Sequence, residues 1–285
     1  MTTLSTYQAP SPGALVMHVT SSVGKVKAIV DSRLRHAQVS VETSEDSGRF
    51  AEAVAATKFT EERVNYGRQV RVTVPEIRSV TRRSAGSSYS FGGSSYHFGD
   101  GVAFAGSTFS GIQTTADGDV FIGGQKVVQD GRVVADKGTV VSGPAATITV
   151  TIRLPRDCAV LLSTTSADLE VVGDLVGVGV TSVSGLVELG GTVGWLTMNT
   201  TSGDATAEHV SRSVSYNSVS GSLEVDAYSG EVFESASVSG DIRVTATDNA
   251  SGTLRASSVS GDVMTSGAQH LRLRTTSQSG RTRNR

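Results

Sequence analysis

Four aspartates, Asp168, Asp204, Asp241 and Asp262, each directly follow a small residue that closes a hydroxyl-rich turn. Carboxylates held one strand spacing apart can share a proton and do acid–base work. Some β-solenoids cut polysaccharides with such clusters. Here the column is broken by Leu186 and Ser222, so only Asp241 and Asp262 fall in adjacent repeats. Asp is also a common turn residue that bonds its own backbone, and that is the reading adopted for this column. Three residues before each closing glycine stands a hydroxyl: Ser182, Thr200, Ser218, Ser237, Ser258 and Ser277. A nucleophilic serine needs one special base beside one special hydroxyl. Equivalent copies point to a structural hydroxyl ladder at a corner. The histidines, His18, His36, His97, His209 and His270, lack metal-ligand spacing. No calcium-binding Gly-Gly-x-Gly-x-Asp run or phosphate-cradling loop occurs. The expectation is a chain with no catalytic residue, no metal ligand and no cofactor site. Its ligand-binding residues are not legible at this stage.

These side chains must be placed by a repeat. With the small residue closing each turn as marker (Ala167, Gly185, Gly203, Gly221, Gly240, Gly261, Gly280), successive spacings are 18, 18, 18, 19, 21 and 19. The second residue after each marker is apolar: Leu169, Val187, Ala205, Leu223, Ile242, Val263. The fourth is Val171, Leu189, Ala207, Val225, Val244 or Thr265, and the residue between is mostly polar, as in Glu170, Glu188 and Glu224. This is the period of two expected of a strand with one buried face. Val160, Leu162 and Thr164 hold the same places ahead of Ala167. A unit this short holds two strands and their turns but no helix. The fold class that follows is all-β: a right-handed parallel β-solenoid of about six coils of 18–21 residues. Identical columns then stack about 4.8 Å apart.

The remainder is less regular. Alternating stretches at "GALVMHV", "KVKAIV", "AQVSVET" and "QVRVTVP", with a short helix near Phe50 to Ala56, make residues 1–82 a β-rich, irregular N-terminal cap. Residues 83–146 form an insert with short strands, opening on the Gly/Ser/aromatic stretch 83–111, whose expected role is a flexible linker. The solenoid repeat domain is 147–280, and 281–285 is a basic tail over the final coil. Composition agrees: 32 glycines in 285 residues and only 5% aromatics suit tight turns and short strands. The single Cys158 excludes an intrachain disulfide framework.

The phrase "TVTIRLPRDCAVLLSTTSADLEVVGDL", followed by recurrent "SVSGD" units, resembles the bacterial putative-adhesin domain family of β-strand-repeat proteins. The resemblance spans about Thr147 to Gly280 and implies a β-solenoid with an adhesive or interaction role and no established chemistry. The function expected is a non-enzymatic, adhesin-like module that offers a solenoid surface to a protein or glycan partner. The alternative is a cytoplasmic structural solenoid that self-associates through its ends; a polysaccharide-active enzyme ranks below both. Formal net charge is −2, so nucleic acid is not an expected partner. No membrane span is expected, since no apolar stretch approaches 18 residues. Without a signal-peptide pattern the expected location is cytoplasmic, with non-classical export or a surface location left open.

Overall fold

The structure, a computed structural model, describes residues 3–64, 67–77 and 147–285, together with six short strands between them. Its elements in chain order begin with β1 (Thr3–Gln8), β2 (Val16–Ser21), β3 (Lys25–Val30), β4 (Gln38–Thr43), α1 (Arg49–Ala55), β5 (Lys58–Val64) and β6 (Gly67–Thr73). The intervening strands are β7 (Tyr89–Phe91), β8 (Ser94–Tyr96), β9 (Ile112–Thr114), β10 (Val120–Ile122), β11 (Gln125–Gln129) and β12 (Arg132–Val133). Then come β13 (Ile148–Leu154), β14 (Ala159–Thr164), β15 (Asp168–Val172), β16 (Leu175–Thr181), β17 (Val187–Thr200), β18 (Ala205–Ser218) and β19 (Leu223–Tyr228). The chain closes with β20 (Val232–Ser237), β21 (Ile242–Ala246), β22 (Thr253–Ser258), β23 (Val263–Ser266), β24 (Arg272–Ser277) and β25 (Thr282–Asn284).

Met1–Ile77 and Ala146–Arg285 form one compact unit, and Arg78–Ala145 forms another. In the second, β7 and β8 pair antiparallel, and β9 to β12 form a separate antiparallel ladder. The remaining character of the 83–111 stretch lies outside the described residues.

The first unit is a β-solenoid of about seven turns. Its first ladder stacks β6, β2, β14, β16, the end of β17, the end of β18, β20, β22 and β24, all parallel. Its second stacks β13, β3, β15, the starts of β17 and β18, β19, β21, β23 and β25, again parallel. Inward residues of both ladders meet in one dry core. The column Leu169, Val187, Ala205, Leu223, Ile242, Val263 is buried throughout. Across from it run Val160, Val178, Leu196, Val214, Phe233 and Leu254, each at most 1% exposed. At Pro155, which cannot donate to a ladder, β13 has already ended.

Three sequence expectations are corrected. The coil count is about seven because the backward extension at Val160–Thr164 is a full strand and β25 completes the last coil. For the same reason residues 281–285 are not simply a tail: Thr282–Asn284 pairs with Val263–Thr265 in the second ladder. Nor are residues 1–82 all cap. Strands β2 and β3 form a rung inside the solenoid, with β2 between β6 and β14 and β3 between β13 and β15. Measured from Gly24, the rung repeats the unit: Met17 and Val26 are buried, Ala28 is buried, and Ser21 stands in the hydroxyl position. Its outward lysines fasten it to the next coil, since Lys25 and Lys27 each reach Glu170 at 2.6 Å. Those two hydrogen bonds hold the Glu170 carboxyl down at about 2.

The true cap is antiparallel. Strand β4 pairs antiparallel with both β13 and β1, and β5 folds back on β6. Tyr7 on β1 stacks on Phe59 of β5 with ring centroids 5.1 Å apart, tying the two closures together. Helix α1 buries Ala51, Ala53 and Val54.

Candidate functional site

The hydroxyl ladder sits where each first-ladder strand turns into the second. At successive turns the N–H of Gly203, Gly221, Gly240, Gly261 and Gly280 donates to Thr200, Ser218, Ser237, Ser258 and Ser277, at 2.9, 2.7, 2.9, 2.9 and 2.9 Å. The hydroxyls of Ser237, Ser258 and Ser277 donate in turn to the carbonyls of Gly221, Gly240 and Gly261 in the preceding coil, at 3.2, 3.0 and 2.8 Å. Ser182 donates to Thr200 Oγ1 at 3.0 Å. Every hydroxyl of the ladder except Ser182, which bonds Thr200, thus satisfies backbone groups of the turns. The closing glycines owe little to backbone handedness, because Gly185 alone among them has a positive φ. They are glycine because a Cβ on Gly221, Gly240, Gly261 or Gly280 would collide with the carbonyl oxygen of the turn stacked before it.

The carboxylate column is spent in the same way. Asp168, Asp204, Asp241 and Asp262 accept the backbone N–H of Leu186, Ser222, Asp262 and Arg281 at 2.8, 2.7, 2.8 and 2.7 Å. They bond forward to the next coil rather than to their own turn. Asp241 and Asp262 are therefore linked through a backbone amide. Asp204 and Asp241 also line a shallow hollow with Glu224 and Arg243, and each already accepts the amide of the coil that follows it.

Histidine offers one arrangement worth testing as chemistry. His18 Nε2 lies 3.1 Å from Ser163 Oγ, within nucleophile–base distance, and Gln69 Nε2 lies 3.2 Å from His18 Nδ1. With the Gln69 amide donating to Nδ1, the imidazole proton sits on Nε2 and is given to Ser163. In that tautomer the ring cannot accept the serine proton. Burial, then the Arg71 charge, lowers the His18 pKa and keeps the ring neutral. The trio ties β6, β2 and β14 together across their outer face. His209 bridges Thr192 and Ser229, while His36 and His270 bond the carbonyls of Ala9 and Ala250. His97 lies outside the described residues. No cluster of metal-ligating side chains occurs among the described residues. No helix among them is long and apolar enough to cross a membrane.

What remains for function is the outer surface. At the corner, Val183, Val219, Val238 and Val259 project from the serine turns and are 38–51% exposed. On the outer face of the first ladder lies Trp195, the only tryptophan. Its indole rests across β16, where Gly177 and Gly179 present no side chain; a Cβ on Gly177 would overlap indole Cε2, Cδ2 and Nε1. A Cβ on Gly179 would lie 2.7 Å from Leu161 Cδ2 and 3.5 Å from indole Cζ3. Sequence reasoning missed this platform. Its signal was present, because Gly177 and Gly179 align through the repeat with Trp195 and Thr197.

The family model for Toastrack DUF4097 matches residues 137–284, just over half of the chain. No curated protein matches. Among solved structures, the chain is similar to a putative adhesin from Bacteroides fragilis, at 12% identity and TM-score 0.48, over 99% of this chain and 97% of that one. It is similar to a putative cell adhesion protein from Clostridium sporogenes, at 10% identity and TM-score 0.43, over 87% of this chain and 99% of that one. A putative adhesin from Parabacteroides distasonis matches at 14% identity and TM-score 0.42, over 98% and 96% of the two chains. On its family match, this chain belongs to the Toastrack DUF4097 family.

Proposed function

We propose that the protein is a non-enzymatic, adhesin-like interaction module that presents its solenoid surface to a protein or glycan partner. One observation carries the reading: the chemistry of the repeat is consumed by its own backbone. Hydroxyls and carboxylates that could have formed a reactive set accept amides of their own or the next coil. The side chains left over form exposed columns in register along the coils, a geometry suited to extended contact. Screening the purified protein against arrays of polysaccharides and envelope proteins tests this. Binding without turnover is expected, and conversion of any arrayed glycan refutes it.

A structural solenoid that assembles end to end is the second reading. It draws on β24 and β25, whose outer edges pair with no further strand among the described residues. Against it stands the antiparallel closure by β1, β4 and β5, which offers no parallel template for a second copy. Electron microscopy of concentrated protein separates the two: single particles fit the module, and filaments fit the assembly.

A further inference from the structure

We infer that the outer face of the first ladder around Trp195 is a binding subsite for a neutral oligosaccharide, with the indole stacked on the apolar face of a pyranose ring. The inference rests on the interaction-module reading and names the place and chemistry of its contact.

The geometry begins with the strand period. Leu196 and Met198 point into the core, so Trp195 and Thr197 point outward. Because Gly177 and Gly179 carry no side chains, the indole lies flat on β16 instead of standing off the sheet. Glycine backbone lies under the indole, and the residue keeps part of its surface exposed. The indole N–H donates to no protein acceptor among the described residues. A core role does not account for a large aromatic held flat on an outer face, and neither does a partner side chain.

The surroundings select the occupant. Along β17 and β18, Thr197, Asn199, Ser213, Ser215 and Asn217 face the same way, and none is charged. Asn217 donates its amide to Asn199 Oδ1 at 3.2 Å, which leaves the Asn199 amide hydrogens and the Asn217 carbonyl turned to solvent. Donors and acceptors thus flank the indole. The C–H groups on one face of a pyranose carry the partial positive charge that a ring face attracts, and its hydroxyls match amide and hydroxyl side chains. The nearest charges in these columns, Glu234 on the next coil and Arg255 beyond it, pair with each other at 3.6 Å, so a nucleic acid finds no free cation here and a charged peptide no free counter-charge. Asn199 lies four residues along the strand from Trp195, roughly 13 Å. That reach exceeds one sugar ring, so the occupant is an oligosaccharide or a polysaccharide surface.

Because Trp195 is the only tryptophan, intrinsic tryptophan emission reports this site alone. The probe is a panel of neutral oligosaccharides of glucose, mannose, galactose and N-acetylglucosamine. A saturable change in Trp195 emission with at least one member is expected. Trp195→Ala should weaken that binding about tenfold or more by calorimetry, the upper end of an aromatic contact. Gly177→Ala, which keeps the indole but lifts it off the sheet, should weaken it as well. Circular dichroism checks that both variants fold; if Trp195→Ala does not, protection of wild-type emission from acrylamide by the same sugar decides. No emission response to any panel member overturns the subsite, as does binding that survives both substitutions. If the array finds a partner that binds equally to wild type and Trp195→Ala, the subsite fails while the module stands. If no partner of any kind binds, the module reading itself fails.

Discussion

Replacing Leu223 with Asp should unfold the solenoid, while replacing Glu224, the next residue, with Gln should leave it unchanged. Leu223 is 1% exposed and stacked between Ala205 and Ile242 in adjacent coils. Truncating such a leucine costs about 2–5 kcal/mol in transfer and cavity terms. An unpaired carboxylate in a dry column adds several kcal/mol more, even after relaxation. The sum rivals the total stability of an ordinary domain, about 5–15 kcal/mol. Glu224 stands between Thr206 and Arg243 on the exposed face, so Glu224→Gln should shift stability by less than about 0.5 kcal/mol. Urea denaturation followed by circular dichroism gives both values. Equal midpoints would refute the register, and with it the stacking of every column.

Two buried tyrosines should respond oppositely to loss of their hydroxyls. Tyr216 donates to the carbonyls of Gly203 and Ser222, both at 3.2 Å, so Tyr216→Phe should cost about 1–2 kcal/mol, whereas the buried Tyr228 hydroxyl has no partner among the described residues and Tyr228→Phe should be neutral or stabilising by chemical denaturation. Spectrophotometric titration should find Tyr216 ionising near 12, since burial pushes its phenol up to about 12. Ser258→Ala strands a buried amide and carbonyl and should cost about 2–4 kcal/mol, while Ser277→Ala in the half-exposed last coil should cost about 1 kcal/mol, as compared by thermal melts. The lowered pKa of His18 means that the unfolded chain binds its proton first, so stability should decline as pH falls below about 6.5 and level off once the folded ring protonates. His18→Gln should flatten that part of the stability–pH curve.

The repeat was legible because stacking imposes one requirement per column, and six successive units satisfied it without interruption. The same unit at Met17, Ser21, Gly24, Val26 and Ala28 escaped notice. It stands 143 residues before the marker Ala167, so no fixed spacing pointed to it. Its place in the sheet comes from long-range pairing, and from Lys25 and Lys27 meeting Glu170. The antiparallel direction of β4 was equally hidden, because alternation tells which residues face inward but not which way a strand runs. At the corner, the aspartates were expected to bond their own turn, yet they reach the next coil, and the glycines answer a close carbonyl. Both facts depend on which atoms stack, which a single unit does not contain. The Trp195 platform was obscure for a related reason: Gly177 and Gly179 gain meaning only when aligned with the following coil.

The central claim, that the serine turn is scaffold rather than site, is tested most directly by amide hydrogen exchange at the closing glycines. Gly221, Gly240 and Gly261 each donate their N–H to a serine hydroxyl within the turn. Their amides should therefore exchange as slowly as those of the neighbouring strand residues Leu223, Ile242 and Val263, which are held by the next coil. Protection should be the same before and after a partner binds. Fast exchange at these glycines in the free protein, slowed only when a partner is present, would make the turn a binding site and contradict the account.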